Sequence, residues 1–257
     1  MSLLPWSAPP VTAGAGEADR SQVAVYTFRE VILNEPRRHF SDDLLRGFAV
    51  GTASEGARLA VACHTAFCSP CREGTATHEA TLDLLLGPQT QGQPAPAPLR
   101  TRLMAELDAL PVMPAPSLPS APRASVPLPA DLPQLPPALS KLLLSKGPVA
   151  WRTLVPGIRA IDLEVPSVWR ARLVRFRPGL TIPIHDHGGP EHTVVFSGGL
   201  VDAGGHLGPG DAATMFPGES HTQRAEDDQP CVALIINEAP ARPLTTSGRF
   251  LKWLTRS

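Results

Sequence analysis

The sequence predicts an α plus all-β protein of two domains, a small helical bundle followed by an antiparallel β-sandwich or barrel. Between residues 39 and 86, apolar side chains recur at helical spacing behind residues that cap helices. Beyond residue 150, short apolar stretches are separated by glycine turns, which is typical of all-β domains. Fourteen of the 30 prolines fall between Pro88 and Pro137, so we expect a linker between the two domains.

The composition argues against two classes of partner. The formal net charge is −1 and only 18% of the residues are charged, so the chain lacks the basic surface of a nucleic-acid-binding protein. No apolar run reaches the roughly 20 residues that span a bilayer, and the N-terminus lacks the features of a secretory signal. We therefore expect a cytoplasmic protein without membrane or direct nucleic-acid contacts. Residues 1–35 are predicted to be a poorly ordered extension with one strand candidate at 23–28.

Residues 36–110 are predicted to form the helical domain. Its helices are expected at about 42–50, 55–67, 70–86 and 99–110. Ser41, Ser54 and Ser69 are suitable N-caps, and Pro70 fits the first position of the third helix. Three short helices bury little apolar surface, so a core of this size would gain from a metal or another cross-link.

The helix predicted at 99–110 carries a stripe of leucines at positions i, i+4, i+8 and i+11, namely Leu99, Leu103, Leu107 and Leu110. Such a stripe needs an apolar surface to cover it, and both the helical domain and a partner protein could provide one. Residues 111–138 are predicted to be an extended Pro/Ala linker that does not pack. Residues 139–254 then form the all-β domain, which opens with a short apolar helix candidate at 139–144.

Four residues of the helical domain have the spacing of a zinc site: His39, His64, Cys68 and Cys71. On one helix His64 and Cys68 would be i and i+4 and would share a face. Cys71 follows in the first turn of the next helix, where a thiolate is favoured. His39 could complete a tetrahedral Cys2His2 set, which is typical of structural zinc.

Other interpretations of these residues stay open. Cys63 could replace Cys68 as a ligand, or it could be a core residue, which fits better because it points off the His64 face. His78 is expected on the helix surface. The Cys68-x2-Cys71 pair could instead be a dithiol redox switch, although no βαβ pattern surrounds it.

A second set of potential ligands lies in the all-β region. His185 and His187 are one residue apart and share a face of a strand, and Glu191 can return to that face from the next strand. His221 could supply a fourth donor. Three imidazoles and one carboxylate suit a divalent metal, and zinc, iron and manganese are all candidates.

Three neighbouring residues are assigned other roles. His192 alternates to the opposite face from Glu191, and His206 lies in a glycine-rich turn, where we expect it to be solvated. Cys231, in an apolar strand, is expected to be a small buried hydrophobe, with a redox role as the alternative.

The spacing of this second set resembles the two motifs of the cupin family. The first motif is matched at every position, by Gly179, His185, His187, Glu191 and Gly198. The second is matched by Gly210, Gly218 and His221, but its proline is displaced by one residue to Pro217, and Phe216 stands in its usual place. The resemblance covers roughly residues 150–240 and implies a jelly-roll fold. Some cupins bind sugars or contain no metal, so these residues could also be ordinary polar residues without a metal.

The order of the two sets resembles the ChrR family of zinc-dependent anti-sigma factors. The match includes His39-Phe-Ser-Asp-Asp-Leu-Leu, the 25 residues from His39 to His64, the Cys-x2-Cys pair and the four cupin donors. It covers about residues 37–254, and the proline linker is longer than the family pattern leads us to expect.

This resemblance implies a regulator that binds two zinc ions and has no catalytic residues. The helical domain, with zinc on its four donors, would bind an extracytoplasmic-function sigma factor and block its access to core RNA polymerase. The helix at 99–110 would be the fourth helix of that domain and would pack on the sigma factor. The cupin, joined by a linker and without a shared rigid core, would receive a stress signal such as singlet oxygen or organic hydroperoxide and release the sigma factor.

The runner-up function is a metal-dependent cupin dioxygenase that cleaves small diketones and carries an accessory zinc-binding helical module. The His-His-Glu-His set serves both functions, because iron oxygenases and zinc-binding cupins share it. A zinc-stabilised scaffold with an inactive cupin is a third interpretation. The upstream donors and the leucine stripe favour the regulator, since an oxygenase needs neither.

Overall fold

Five helices precede eleven strands in the part of the chain that the structure, a computed structural model, describes, which is residues 35–90, 97–109, 128–145 and 147–244. The helices are α1 (Asp42–Ala49), α2 (Glu55–Thr65), α3 (Ser69–Thr90), α4 (Ala97–Ala109) and α5 (Pro137–Ser145). Ser41 and Ser54 cap α1 and α2, since their side-chain oxygens accept from the amides three residues on. None of the described helices combines the length and the apolarity needed to cross a bilayer.

The strands form two antiparallel sheets, which confirms the predicted β-sandwich. They are β1 (Arg152–Val155), β2 (Ile158–Leu163), β3 (Arg170–Phe176), β4 (Thr181–His187), β5 (Glu191–Ser197), β6 (Leu200–Asp202), β7 (Gly205–Leu207), β8 (Ala212–Met215), β9 (His221–Ala225), β10 (Cys231–Asn237) and β11 (Ala241–Pro243). The six-stranded sheet has the order β1-β2-β3-β10-β5-β8, and the five-stranded sheet has the order β11-β4-β9-β6-β7.

One apolar core fills the space between the two sheets. The six-stranded sheet contributes Ile158 and Phe176, and the five-stranded sheet contributes Ile182, Leu200 and Leu207. All five are almost completely buried, and each such side chain contributes about 1.5–3 kcal/mol by leaving water. The sandwich therefore has a hydrophobic core of its own.

A second core lies on the outer face of the six-stranded sheet, where the helices pack. Strand β10 turns Val232, Leu234 and Ile236 towards the helices, while its alternate residues face the core between the sheets. The helical layer contributes Leu45, Val61, Leu139 and Leu143, among others, to this shared core. All the described residues fall in one compact unit. The expectation that the cupin acts without sharing a rigid core with the helices is therefore wrong.

The described end of the predicted linker also packs. Leu135 is buried in the shared core, and Leu128 and Leu132 lie against it. The expectation of an unpacked linker fails for these residues because leucines recur among the prolines and give this stretch an apolar side. The extension at residues 1–34, the strand candidate at 23–28, Leu110 and residues 110–127 lie outside the described part of the chain.

Candidate metal centres

Four side chains of the helical layer converge on one point, and we call them the helical site: His39, His64, Cys68 and Cys71. Their ligand atoms all lie within 4.8 Å of one another. The shortest distances are 3.2 Å from His64 Nε2 to Cys71 Sγ and 3.2 Å from Cys68 Sγ to His39 Nδ1. His39 is exposed and the other three are buried, so the site is closed on its inner side and open to solvent at one ligand.

The end of α2 and the start of α3 bring the two cysteines together. Helix α2 ends at Thr65, so Cys68 lies beyond the helix on which the sequence placed it. Its amide still donates to the His64 carbonyl at 3.0 Å, which preserves the i, i+4 proximity. Helix α3 begins at Ser69, one residue earlier than the predicted cap allows, and the Cys71 amide lies 3.5 Å from the Cys68 sulfur. The thiol of Cys68 therefore occupies the position expected of the Ser69 hydroxyl.

Burial shifts the pKa of two residues of the helical site, Cys71 and His64. It raises the pKa of the Cys71 thiol to about 12, and the neighbouring Cys68 adds to the effect. It lowers the pKa of His64, against the opposing effect of a hydrogen bond to the Gly210 carbonyl, whose oxygen lies 2.7 Å from His64 Nδ1. That bond places the proton on Nδ1 and leaves Nε2, which faces Cys71, free to bind a metal.

The second group lies between the two sheets, and we call it the sandwich site: His185, His187, Glu191 and His221. All four residues are buried, and their ligand atoms also lie within 4.8 Å of one another. His185 on β4 pairs in register with His221 on β9, whereas Glu191 comes from β5 in the opposite sheet. The Nε2 atoms of His185 and His221 are only 3.1 Å apart.

Contacts around the sandwich site orient its ligands. His185 Nδ1 lies 3.0 Å from the Pro183 carbonyl oxygen, so it donates there and directs Nε2 inward. The Asn237 amide donates to Glu191 Oε2. Burial lowers the pKa of His185 and of His187, although the charge of Glu191 opposes this. Neutral imidazole is the form that binds metals.

The fit of a metal to the sandwich site rests on buried nitrogens without partners. Both ring nitrogens of His187 and Nδ1 of His221 are buried without a hydrogen-bond partner among the described residues. Such groups cost about 1–3 kcal/mol each when left unsatisfied. A cation bound to the inward-facing nitrogens would remove that cost and would draw together the imidazoles that face each other. The helical site fits a metal for a different reason, because two thiols and two imidazoles are the donor set of closed tetrahedral zinc sites.

The remaining histidines and cysteines lie outside both groups. His192 faces away from Glu191, with Nδ1 3.0 Å from Thr214 Oγ1 and Nε2 3.4 Å from Glu238 Oε1. His206 is exposed beside Glu226, at 2.7 Å, and His78 lies 2.9 Å from Asp42 on the surface.

The other two cysteines are buried in apolar surroundings. Cys63 lies in the shared core and Cys231 in the core between the sheets. Burial raises the pKa of each thiol to about 12, so neither carries the thiolate that redox chemistry requires.

Two carboxylates next to the metal groups were not found by sequence reasoning. Asp202 lies with Oδ2 3.7 Å from His221 Nδ1, and Asp211 accepts the amides of Arg37 and Arg38, the residues just before His39. In the sequence both aspartates belong to glycine-rich stretches and read as ordinary turn residues. The only signal is their position, close in sequence to motif glycines.

Comparisons with known proteins identify the family of this chain. The family that matches residues 140–240 is described as the ChrR cupin-like domain. The anti-sigma-E factor ChrR of Cereibacter sphaeroides is 34% identical over 210 residues, covering 80% of this chain and 92% of that protein. The crystal structure of Rhodobacter sphaeroides SigE in complex with the anti-sigma ChrR matches with a TM-score of 0.59 at 27% identity, covering 78% of this chain and 98% of the matched chain. The chain therefore belongs to the ChrR family of anti-sigma factors.

Proposed function

We propose that this protein is a zinc-dependent anti-sigma factor that sequesters an extracytoplasmic-function sigma factor. The observation that carries the proposal is the similarity to ChrR over both the helical layer and the sandwich, together with the convergence of four metal donors in each. The solved relative is a complex of an anti-sigma factor with SigE, and the corresponding partner here is a sigma factor of that class. Because its target is a subunit of RNA polymerase, we place the protein in the cytoplasm.

The metal assignment is part of the proposal. We assign zinc to the helical site, where it supplies a cross-link between the segment before α1, the end of α2 and the start of α3. A structural zinc of this kind contributes about 10–16 kcal/mol of binding free energy to folding in small domains. We assign a second zinc to the sandwich site, with iron and manganese as the alternatives that the same donors accept.

Helix α4 supplies a surface for the sigma factor. Leu99, Leu103 and Leu107 lie on one side of it and are 38%, 48% and 59% exposed. Met104 is 51% exposed. Apolar side chains this exposed favour a partner protein over the chain's own core. Of the two surfaces that could cover the leucine stripe, we therefore propose the sigma factor.

The size of the cavity at the sandwich site favours a regulator over the dioxygenase. The cavity next to His185 and Glu191 holds about 20 Å³, which is room for about one water molecule. Two surface clefts of the same protein hold about 410 and 430 Å³. A diketone would not fit beside the ligands without a rearrangement of the sandwich. A small oxidant would fit, which supports a sensing role in which oxidation or metal loss at this site releases the sigma factor.

Co-expression tests the proposal. The chain is produced together with a tagged extracytoplasmic-function sigma factor from the same genome, and the purified material is analysed for complex formation and metal content. We expect a stable complex with about two zinc ions per chain, one for each set of four donors. Absence of a complex, combined with oxygen consumption by the iron-loaded protein in the presence of a small diketone, would establish the dioxygenase instead.

A further inference from the structure

One segment of the sandwich contacts both metal groups. Residues 202–211, which we call the bridging segment, run from the end of β6 through β7 to the turn before β8. The backbone before His39 and the side chain of His64 lie against one end of the segment, and His221 lies next to the other. These contacts join the helical site and the sandwich site through a short chain of polar groups.

Asp211 and Gly210 hold the ligands of the helical site. Asp211 Oδ1 accepts the Arg37 amide at 2.6 Å and the Arg38 amide at 2.9 Å, and the Ala212 amide donates to the Arg38 carbonyl at 3.1 Å. Gly210 accepts from His64 Nδ1. Its φ of +88° requires glycine, and a Cβ at this position would lie 2.8 Å from Pro36 Cγ. The segment that carries His39 is therefore docked on the sandwich backbone.

Asp202 connects that docked segment to the sandwich site. Its carboxylate is only 4% exposed, and Oδ1 accepts the Gly204 amide at 2.8 Å and lies 3.4 Å from the Arg38 guanidinium. The other oxygen, Oδ2, lies 3.7 Å from His221 Nδ1. The Gly204 N–H and the Arg38 guanidinium at this carboxyl group favour its ionised form. One buried negative charge thus faces a metal-site histidine and the arginine adjacent to His39.

We propose that Asp202, held between His221 and Arg38, couples metal binding at the two sites, so that a metal in the sandwich site strengthens metal binding in the helical site. This inference rests on the proposed metal sites. A histidine whose Nε2 binds a metal donates its Nδ1–H to an outer acceptor, and Asp202 Oδ2 is the carboxylate that faces that nitrogen. When His221 Nδ1 and Asp202 Oδ2 move from 3.7 Å to hydrogen-bonding distance, the carboxylate is held in one orientation. Its other oxygen, Oδ1, remains available to Arg38.

The sign of the coupling follows from the use of two different oxygens. His221 and Arg38 do not compete for one atom, because His221 faces Oδ2 of Asp202 and Arg38 faces Oδ1. A contact with His221 that orders the carboxylate therefore lowers the entropic cost of the contact with Arg38. Arg38 then restrains the backbone that presents His39, the exposed ligand of the helical site. By reciprocity, zinc in the helical site strengthens binding in the sandwich site by the same factor.

Cobalt titration of the full-length chain tests the coupling. Cobalt bound to thiolates gives a charge-transfer absorption, and among the eight proposed ligands only Cys68 and Cys71 carry sulfur, so this band reports the helical site alone. The affinity of the helical site is measured in the wild-type chain and in His185→Ala, which removes a sandwich ligand. We expect the affinity to fall about 5-fold or more in His185→Ala, at the lower end of typical coupling factors.

Two variants within the link, Arg38→Ala and Asp202→Asn, complete the cycle, and Arg37→Ala is the control. When the chain already carries Arg38→Ala or Asp202→Asn, adding His185→Ala should change the cobalt affinity of the helical site by less than about 2-fold. When the chain carries Arg37→Ala, adding His185→Ala should lower that affinity by the same factor as in the wild-type chain. Equal factors in all backgrounds, or no effect of His185→Ala in the wild-type chain, would overturn the coupling and leave the two sites intact. If the thiolate band never forms, the helical metal site itself is wrong and the coupling falls with it.

Discussion

The two candidate metal sites each have four potential ligands, but they differ in how they depend on the fold. The helical site joins a coil, the end of α2 and the start of α3, and one of its four ligands is exposed. The sandwich site is buried on strands of two sheets that pack around a core of their own. A metal at the first site would add a cross-link between segments of a helical layer that has no core apart from the one it shares with the sheet, whereas a metal at the second would occupy a position that the sheets already define. The first site is thus suited to control partner binding, and the second to register a change without unfolding.

The largest expected contrast is in sigma factor binding. Replacing Cys68 and Cys71 together by serine should weaken binding by more than about 100-fold, because the metal cross-link that we propose for the helical layer would be lost. His187→Ala, which removes a ligand of the sandwich site, should weaken it by less than about 10-fold, since coupling between distant sites is modest. Calorimetric titration of the sigma factor measures both. Cys63→Ala serves as the thiol control and should bind normally. Equal losses in the two ligand variants would remove the distinction between the sites.

Metal removal should separate the two regions within one molecule. After treatment with a chelator, amide hydrogen exchange in α1, α2 and the first turns of α3 should accelerate by about 100-fold. Without the metal, local unfolding of these helices no longer has to break metal–ligand bonds, so its free-energy cost falls. Exchange in β3 and β10 should change by less than about 10-fold, since the core between the sheets persists. Mass spectrometry of peptic fragments measures both regions together. Uniform acceleration across helices and strands would mean that the layers unfold as one unit.

The leucine stripe gives a third contrast, on the surface of the helical layer. Leu103→Asp should weaken sigma factor binding by about 30-fold, the loss expected of a buried interface anchor. The matched control is Leu144→Asp on α5, because Leu103 and Leu144 are both leucines with 48% exposure. Surface plasmon resonance with immobilised sigma factor distinguishes them. The proposed surface would be wrong if the two variants lost affinity equally or not at all.

A fourth prediction concerns the shared core that joins the helices to the sheet. A Cβ on Gly56 of α2 would lie 2.8 Å from Val168 Cγ1 and 2.9 Å from Ile236 Cγ2. Gly56→Ala should therefore destabilise the protein by about 1–3 kcal/mol through overpacking. Gly74→Ala on α3 meets only Leu45 at 3.5 Å, so it should be neutral or stabilising by up to about 1 kcal/mol. Urea unfolding compares the two, and similar values would contradict the close packing of α2 on β10.

The smallest expected effect is a pH dependence of the metal-free protein. Burial lowers the pKa of His192 in the folded state, so between that pKa and about 6.5 the unfolded chain binds a proton that the folded chain does not. This contribution to stability is complete above about pH 6.5 and is lost as the pH falls below it. Between pH 6.5 and 5.5 the loss should be smaller in His192→Gln than in the wild-type chain, by at most about 1 kcal/mol. Urea unfolding of both chains at each pH measures the difference, and equal losses in the two chains would contradict the prediction.

Local patterns in the sequence predicted which potential metal donors lie close together, but they did not predict the way the layers pack. Ligand spacings such as His185-x-His187 and Cys68-x2-Cys71 depend on strand and turn geometry within a few residues, and the structure brings all eight donors into two groups. The shared core depends on contacts between distant segments, which no local pattern encodes. One signal was present, because β10 is apolar at every position from Cys231 to Ile236. An antiparallel strand that is buried on both faces needs a covering layer, and here the helices provide it.

Asp202 was missed for a related reason. Its role depends on two residues far away in sequence, Arg38 and His221, and its own neighbours predict only a turn. The start of α3 differs from the prediction by one residue, because the thiol of Cys68 lies at the capping position where the hydroxyl of Ser69 was expected. Polar contacts that join separate segments therefore require the three-dimensional structure, as the shared core does.

Run-off transcription with core RNA polymerase, the cognate sigma factor and the full-length chain tests the central claim most directly. The zinc-loaded chain should suppress transcription at about one chain per sigma factor, the chelated chain should not, and readdition of zinc should restore suppression. Transcription that is equally suppressed by the zinc-loaded and the chelated chain, or by neither, would contradict a zinc-dependent anti-sigma factor.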